Sequence, residues 1–165
     1  MMATFTKNLI LSWDDVQRDA RRLATQLATH PPFNGVIAIP RGGLVPAAVL
    51  ARELDIHLIE TLCIVSYDHQ DRGQPNVLKG VESAGDGSGW LLVDDLVDTG
   101  GTAEVARRLL PGAHFACLYA KPEGRPYAND FIAEVDQDCW VHFPWDTDRL
   151  YVAPLVDAPN VDAAS

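Results

Sequence analysis

The chain has 165 residues, the length of one ordinary domain and short of two. Hydrophobic residues make up 47% and charged residues 22%, with 12 Gly and 11 Pro, which is globular usage and excludes collagen-like and low-complexity classes. Thirteen basic against 23 acidic side chains give a formal net charge of −10; this field repels polyanions and argues against nucleic acid as a partner, while local cations or backbone amides can still hold a small anion.

Met1 to Leu9 carries one Lys and no apolar core of signal-peptide length, so a cytoplasmic protein is expected. Ser12 with Asp15 forms a capping box, and Val16, Ala20, Leu23 and Leu27 recur at helical spacing until Pro31-Pro32 ends the helix. Gly35 to Pro40 is a short run rich in β-branched residues and reads as a strand buried on both faces. Arg41-Gly42-Gly43 then turns into a second helix reaching Leu54, with Leu44, Ala47, Ala48 and Ala51 on its apolar side, and a further strand is predicted from about His57 to Val65.

Ser66 to Gly89 is polar, holds five glycines and Pro75, and reads as a long loop of the kind that serves as a lid or binding element. Gly89 to Asp94 restores a strand, Thr99 to Thr102 makes a turn, Ala103 to Leu110 a helix, and Ala113 to Ala120 a strand. Trp140 to Phe143 reads as one more strand, and the residues after 155 as a loosely held tail on a single domain spanning 1–155. The apolar stretches are under half the roughly 20 residues a membrane helix needs. Alternating strands and helices define an α/β fold whose right-handed crossovers make the central sheet mostly parallel and flanked by helices. Ligands of such sheets bind at the carboxyl ends of the strands, which selects the turns after Pro40 and after Asp94.

The second turn carries the chemistry. Asp94 and Asp95 close an apolar strand and cannot both be buried cheaply, so at least one must meet solvent, a cation or hydroxyl groups. Beyond Leu96, Val97 and Asp98, the run Thr99-Gly100-Gly101-Thr102 opens a helix, where glycines bring the backbone close to a ligand and the first-turn amides and dipole favour an anion. Taken alone, the turn could equally be one that Asp98 or Thr99 merely caps; together with the twin acids it has the shape of a ribose 5-phosphate site. No Walker-type phosphate loop exists. Cys63, Cys117 and Cys139 are widely spaced, lack ligand patterns and read as small buried hydrophobes. His114 and His142 belong in or beside apolar strands, His30, His57 and His69 share no ligand spacing with them, and none is assigned a catalytic role.

The stretch Val93 to Thr102 resembles the 5-phosphoribosyl-1-pyrophosphate (PRPP) signature of the type I phosphoribosyltransferases. Arg41-Gly42-Gly43 is similar to that family's pyrophosphate loop, Ser66-Tyr67-Asp68-His69 to the opening of its flexible hood, and Lys121-Pro122, Trp140-Val141 and Pro144-Trp145 follow in the family's order, over roughly residues 8 to 155. The resemblance implies the type I phosphoribosyltransferase fold with a flexible hood loop. It implies transfer of the 5-phosphoribosyl group of PRPP to N9 of guanine, xanthine and, less well, hypoxanthine in purine salvage. It further implies Mg²⁺ held by Asp95, ribose hydroxyls on Asp94, and a purine N7 beside Asp98. Thr99, Gly100, Gly101 and Thr102 would hold the 5-phosphate, Leu96 and Val97 belong to the same PRPP-binding stretch, and Arg41 and Gly42 would hold the pyrophosphate. Lys121 would donate to the purine O6 and Val141 meet its 2-position. Asp98, Asp95 and Lys121 are the expected catalytic set.

Three positions keep two readings each. Arg41 and Lys121 could be solvated surface cations, and Trp140 could stack on the base or close the core. Arg72 stands one residue from where the family has a pyrophosphate-binding arginine, and Pro40 replaces a small polar residue. The family also implies a homodimer or homotetramer and admits loose attachment to the inner membrane face. The alternatives are a hypoxanthine-guanine enzyme, separated by a few base contacts, and a non-catalytic PRPP- or nucleotide-sensing regulator that binds RNA, which would need a basic face.

Overall fold

The computed structural model describes residues 6–65, 76–146 and 156. Its centre is a five-stranded parallel sheet built from β2 (Gly35–Ala38), β3 (Ile59–Thr61), β6 (Trp90–Val97), β7 (His114–Ala120) and β8 (Asp130–Glu134), in the order β3-β2-β6-β7-β8. Helix α1 (Trp13–Leu27) starts at Ser12, whose hydroxyl accepts from the Asp15 amide while the Asp15 carboxylate accepts from the Ser12 amide, so the predicted capping box forms. Its buried stripe, Val16, Ala20, Leu23, Ala24 and Leu27, packs with Ala47, Leu50 and Ala51 of α2 (Leu44–Glu53) on Val36, Leu91, Val93, Ala116 and Leu118 of the sheet. Alternation along the strands sends Ile37, Leu92, Phe115 and Cys117 to the other face, where Ala103, Val105 and Ala106 of α3 (Gly101–Leu109) cover them. The predicted parallel sheet flanked by helices is thus observed.

Two small sheets stand apart. β1 (Lys7–Ile10) pairs in parallel with β9 (Cys139–His142), and β4 (Cys63–Val65) pairs antiparallel with β5 (Asn76–Lys79). The strand expected over 57–65 is therefore two. β2 ends at Ala38 opposite Thr61, so β3 loses its partner there, and beyond Leu62 the chain turns into the β4–β5 hairpin. The long polar segment after Val65 is in part structured, supplying β5 and a 3₁₀ turn at Glu82–Ala84. Strand β6 continues to Val97 rather than stopping at Asp94, and α3 begins at Gly101, two residues earlier than predicted. β1, β5 and β8 have no counterpart among the sequence predictions. The start of the expected hood, Ser66 to Pro75 with Arg72, lies outside the described residues, as does the tail except for the exposed Val156.

Cys117 and Cys139 are buried, Cys63 partly so, and all three are free thiols. Burial pushes the Cys117 thiol far above its ordinary range, in keeping with a packing role. No helix among the described residues is long and apolar enough to cross a membrane.

Candidate active site

From β2 the chain passes through α2 to β3 on one side, and from β6 through α3 to β7 on the other. The switch in winding direction falls between β2 and β6, and ligands of open α/β sheets bind outside the carboxyl ends of the strands at such a point. The two are bonded directly, Gly35 opposite Trp90 through Ala38 opposite Val93. Because β6 runs four residues past that last pair, Asp94 to Val97 project beyond β2, and the Pro40–Gly43 turn folds against them. The Pro40–Arg41 peptide is cis. The Ile39 amide donates to Val93 O at 2.9 Å, and the Gly43 amide to Ile39 O at 2.9 Å.

Both glycines of that turn are dictated by β6. A Cβ on Gly43 would lie 2.5 Å from Val93 O, and one on Gly42 would fall inside the Asp95 carboxylate. Arg41 is exposed beside them. The first loop is therefore seated on the acidic end of β6 by backbone contact.

Asp94 and Asp95 sit partly buried within β6. The Asp95 amide donates to Asp94 Oδ1 at 2.9 Å, and the Leu96 amide to Asp95 Oδ1 at 2.7 Å. Burial, and next the Asp95 charge, hold Asp94 well above the usual carboxylate range. Burial also raises Asp95, against which the hydrogen bond from Asp94 and the Leu96 amide pull it back. Of the pair, Asp94 is raised the further and Asp95 is the readier anion. No cationic side chain among the described residues accounts for the behaviour of either. A pair of oxygen-only donors of this kind fits a hard divalent cation such as Mg²⁺, which takes one or two carboxylates and completes its shell with substrate oxygens and water.

Past β6, Gly100 caps α3 with φ +90°, a left-handed conformation in which a side chain would be strained, and an added Cβ would enter the Tyr127 ring. The Glu104 amide closes the first turn on Gly100 O at 2.8 Å. Gly101 has nothing within 4 Å of where its Cβ would be, and Thr99 and Gly101 are both exposed. An open helix N-terminus flanked by two threonines results, with α3 nine residues long behind it.

Asp98 stands between the twin acids and this helix start. Its Oδ2 accepts from Lys121 Nζ at 3.0 Å and its Oδ1 from Gln137 Nε2 at 2.9 Å. Lys121 follows β7, its amide bonded to Val97 O at 2.9 Å, and its side chain is 1% exposed. The solvated-lysine reading is therefore corrected: the end of β7 folds the ammonium inward onto Asp98, whose own side chain stays 42% exposed and able to accept further bonds. Donation to a base oxygen would require Lys121 to share that contact. Gln137 is absent from the sequence-derived set. Its Oε1 accepts from the Glu123 amide at 3.1 Å, which fixes the amide so that its NH₂ points at Asp98. Nothing in the run Asp136-Gln137-Asp138 marks it; only the β8–β9 connection brings it to β6.

Trp140 is 47% exposed on β9, edge-on to His142 at 6.3 Å, so the core-tryptophan reading gives way to a half-exposed ring at the surface. Its neighbour Val141 is buried and pairs with Leu9 of β1. The structure thus gathers Arg41, Gly42, Asp94, Asp95, Asp98, Gly100, Gly101 and Lys121 around one switch point.

A paired acid on a strand end, a bare helix N-terminus and a bound carboxylate between them are donors and acceptors suited to an anion and a cation held close together. The chain matches the phosphoribosyl transferase domain model over residues 10–151 and belongs to that family. It is 56% identical over 157 residues to a xanthine-guanine phosphoribosyltransferase of Nitratidesulfovibrio vulgaris strain DP4, covering 94% of this chain and 95% of the relative. It is 54% identical over 157 residues to the protein of the same name from Desulfotalea psychrophila, covering 94% and 97%. Among solved structures, a purine phosphoribosyltransferase of Pyrococcus horikoshii superposes with a TM-score of 0.70 at 28% identity, over 90% of this chain and all of that one.

Proposed function

We propose that the chain is a xanthine-guanine phosphoribosyltransferase, transferring the 5-phosphoribosyl group of PRPP to N9 of guanine or xanthine, and less well hypoxanthine, with release of pyrophosphate. The observation that carries this is the placing of Asp98, gripped by Lys121 and Gln137, directly between the twin acids and the open start of α3. In this arrangement the exposed amides of α3 and the hydroxyls of Thr99 and Thr102 bind the 5-phosphate, Asp94 takes the ribose hydroxyls, and Arg41 with the Gly42 amide orients the pyrophosphate. Asp98 accepts the imidazole-ring proton of the purine as N9 bonds to ribose C1 and the C1–O bond to pyrophosphate breaks. Trp140 offers its face to the base and the Val141 backbone meets the purine 2-position. Fixing both reactants at one strand end supplies much of the acceleration. Asp95 would hold Mg²⁺, which neutralises charge on the departing phosphates when bound.

Pyrophosphate release from PRPP is the direct assay, run with guanine, xanthine, hypoxanthine, adenine and uracil. Guanine and xanthine should give the highest kcat/KM, hypoxanthine less, adenine and uracil none. Turnover with adenine alone would remove the 6-oxopurine assignment, turnover with uracil alone the purine assignment, and turnover with none of the five bases the enzyme. A kcat/KM for hypoxanthine above that for xanthine would favour the hypoxanthine-guanine alternative. Retention of Mg²⁺ dependence in Asp95→Asn would reassign the ion.

A further inference from the structure

We propose that His30, His114 and Asp130 form a binding site for one divalent transition-metal ion of the imidazole-preferring class, with Zn²⁺ the principal candidate. The site lies at the amino ends of β7 and β8, opposite the end where the substrates are proposed to bind. His114 opens β7, Asp130 opens β8, and His30 closes the turn after α1, its amide bonded to Leu27 O at 3.0 Å. From His114 to Ala120 strand β7 spans about 20 Å at roughly 3.3 Å per residue, so this cluster stands well away from Lys121 and Asp98.

Three elements distant in sequence converge here. His114 Nε2 lies 2.6 Å and His30 Nε2 3.3 Å from the same oxygen, Asp130 Oδ2. The two imidazole rings are 4.5 Å apart, and Phe33 packs against His114 at 5.6 Å and His30 at 6.4 Å, closing one side with an apolar wall. The three candidate ligand atoms all fall within 4.8 Å of one another, and each residue is only partly buried, which leaves a path for entry. Metal–ligand bonds of about 2.0–2.2 Å in a tetrahedron put neighbouring ligand atoms about 3.3 Å apart. The His30–Asp130 separation already meets that spacing, and the His114–Asp130 pair reaches it by a small rotation.

Two imidazoles and one carboxylate suit Zn²⁺, Ni²⁺, Cu²⁺ or Co²⁺, whereas Mg²⁺ and Ca²⁺ favour all-oxygen sets. Three protein ligands leave one position for water. The last turn of α1 has no basic residue and its C-cap is Ala28, so a bound cation beside His30 would also face the negative end of the helix dipole. The ion would tie the end of α1 to the β7–β8 edge, which makes the site structural and independent of the proposed transferase reaction.

The test is a Zn²⁺ titration by calorimetry on the metal-stripped full chain without PRPP or Mg²⁺, with thermal unfolding alongside. One ion per chain should bind in the micromolar range or tighter and raise Tm. His30→Ala and Asp130→Asn should each weaken binding more than about 100-fold, beyond the 10–100-fold typical of losing an outer partner, while Asp95→Asn leaves it intact. Should Asp130→Asn fold poorly, His30→Ala and the visible spectrum of Co²⁺-loaded wild type decide, the spectrum showing d–d bands without a thiolate charge-transfer band. The proposal is overturned by absence of binding, which would make the cluster a His–Asp hydrogen bond only. Binding that survives both substitutions, disappears in Asp95→Asn or carries a thiolate band would overturn it equally.

Discussion

Asp98 is a half-exposed carboxylate kept in one orientation by two donors from different parts of the chain, and Gln137 is the one whose role can be separated from charge. Gln137→Leu removes the hydrogen bond to Asp98 Oδ1 and should lower kcat/KM for guanine by about tenfold to 100-fold, the range associated with displacing a reacting group by an ångström or less. Tm should move little. Gln137→Glu replaces that donor with a second carboxylate against Asp98 and should lower kcat/KM for guanine at least as far as Gln137→Leu, with KM for PRPP little changed.

The twin acids give the opposite balance of stability and function. The pair is raised by burial, so between the unfolded value near 3.9 and the raised folded value the native state binds more protons than the unfolded chain. Stability of the unliganded chain therefore falls as pH climbs through that window. Asp94→Asn should flatten the fall and stabilise the protein near neutral pH by on the order of 1–3 kcal/mol, read from urea midpoints at several pH values. The same variant should lose PRPP turnover.

At the scale of elements, α3 depends on how it begins. Gly100→Ala forces a β-carbon into left-handed backbone and into the Tyr127 ring, and should cost about 1–3 kcal/mol of stability. Because the strain falls on the amides proposed to bind the 5-phosphate, KM for PRPP should rise while KM for guanine changes less. Steady-state kinetics with each substrate varied in turn separates the two. Several elements could be read from the sequence because local patterns encode them: the capping box at Ser12, the 3.6-residue stripe of α1, and the apolar run leading into Asp94 and Asp95. β8 could not, since Asp130–Glu134 is a five-residue strand, partly buried up to Ala133 and exposed at Glu134, and is defined by pairing with β7. β1, four residues long, is shorter still and mostly exposed, and exists through its partner β9. Gln137 and the approach of His30 to His114 share that cause, being products of strand order that no spacing along the chain reveals.

Across the whole molecule, burial is graded outward from β2, β6 and β7. Val36, Ile37, Leu91, Leu92, Val93, Phe115, Ala116 and Cys117 are all wholly buried, whereas every residue of β5 is exposed. Amides of the three central strands should exchange slowest and those of the β4–β5 hairpin fastest, as measured by hydrogen–deuterium exchange with mass spectrometry. PRPP with Mg²⁺ should add protection at residues 98–103 and at the Pro40–Gly43 turn together, because one bonded strand pair carries both loops.

The packing of that turn on β6 also sets what mutation can explore. At position 43 a main-chain carbonyl meets any added side chain and cannot step aside, while at position 42 an added side chain must displace the carboxylate of Asp95, the residue proposed to hold the cation. Randomising both codons and selecting for growth on salvaged guanine should return glycine triplets alone, while codon 30, at the far end of the sheet, drifts freely under the same selection in zinc-poor medium.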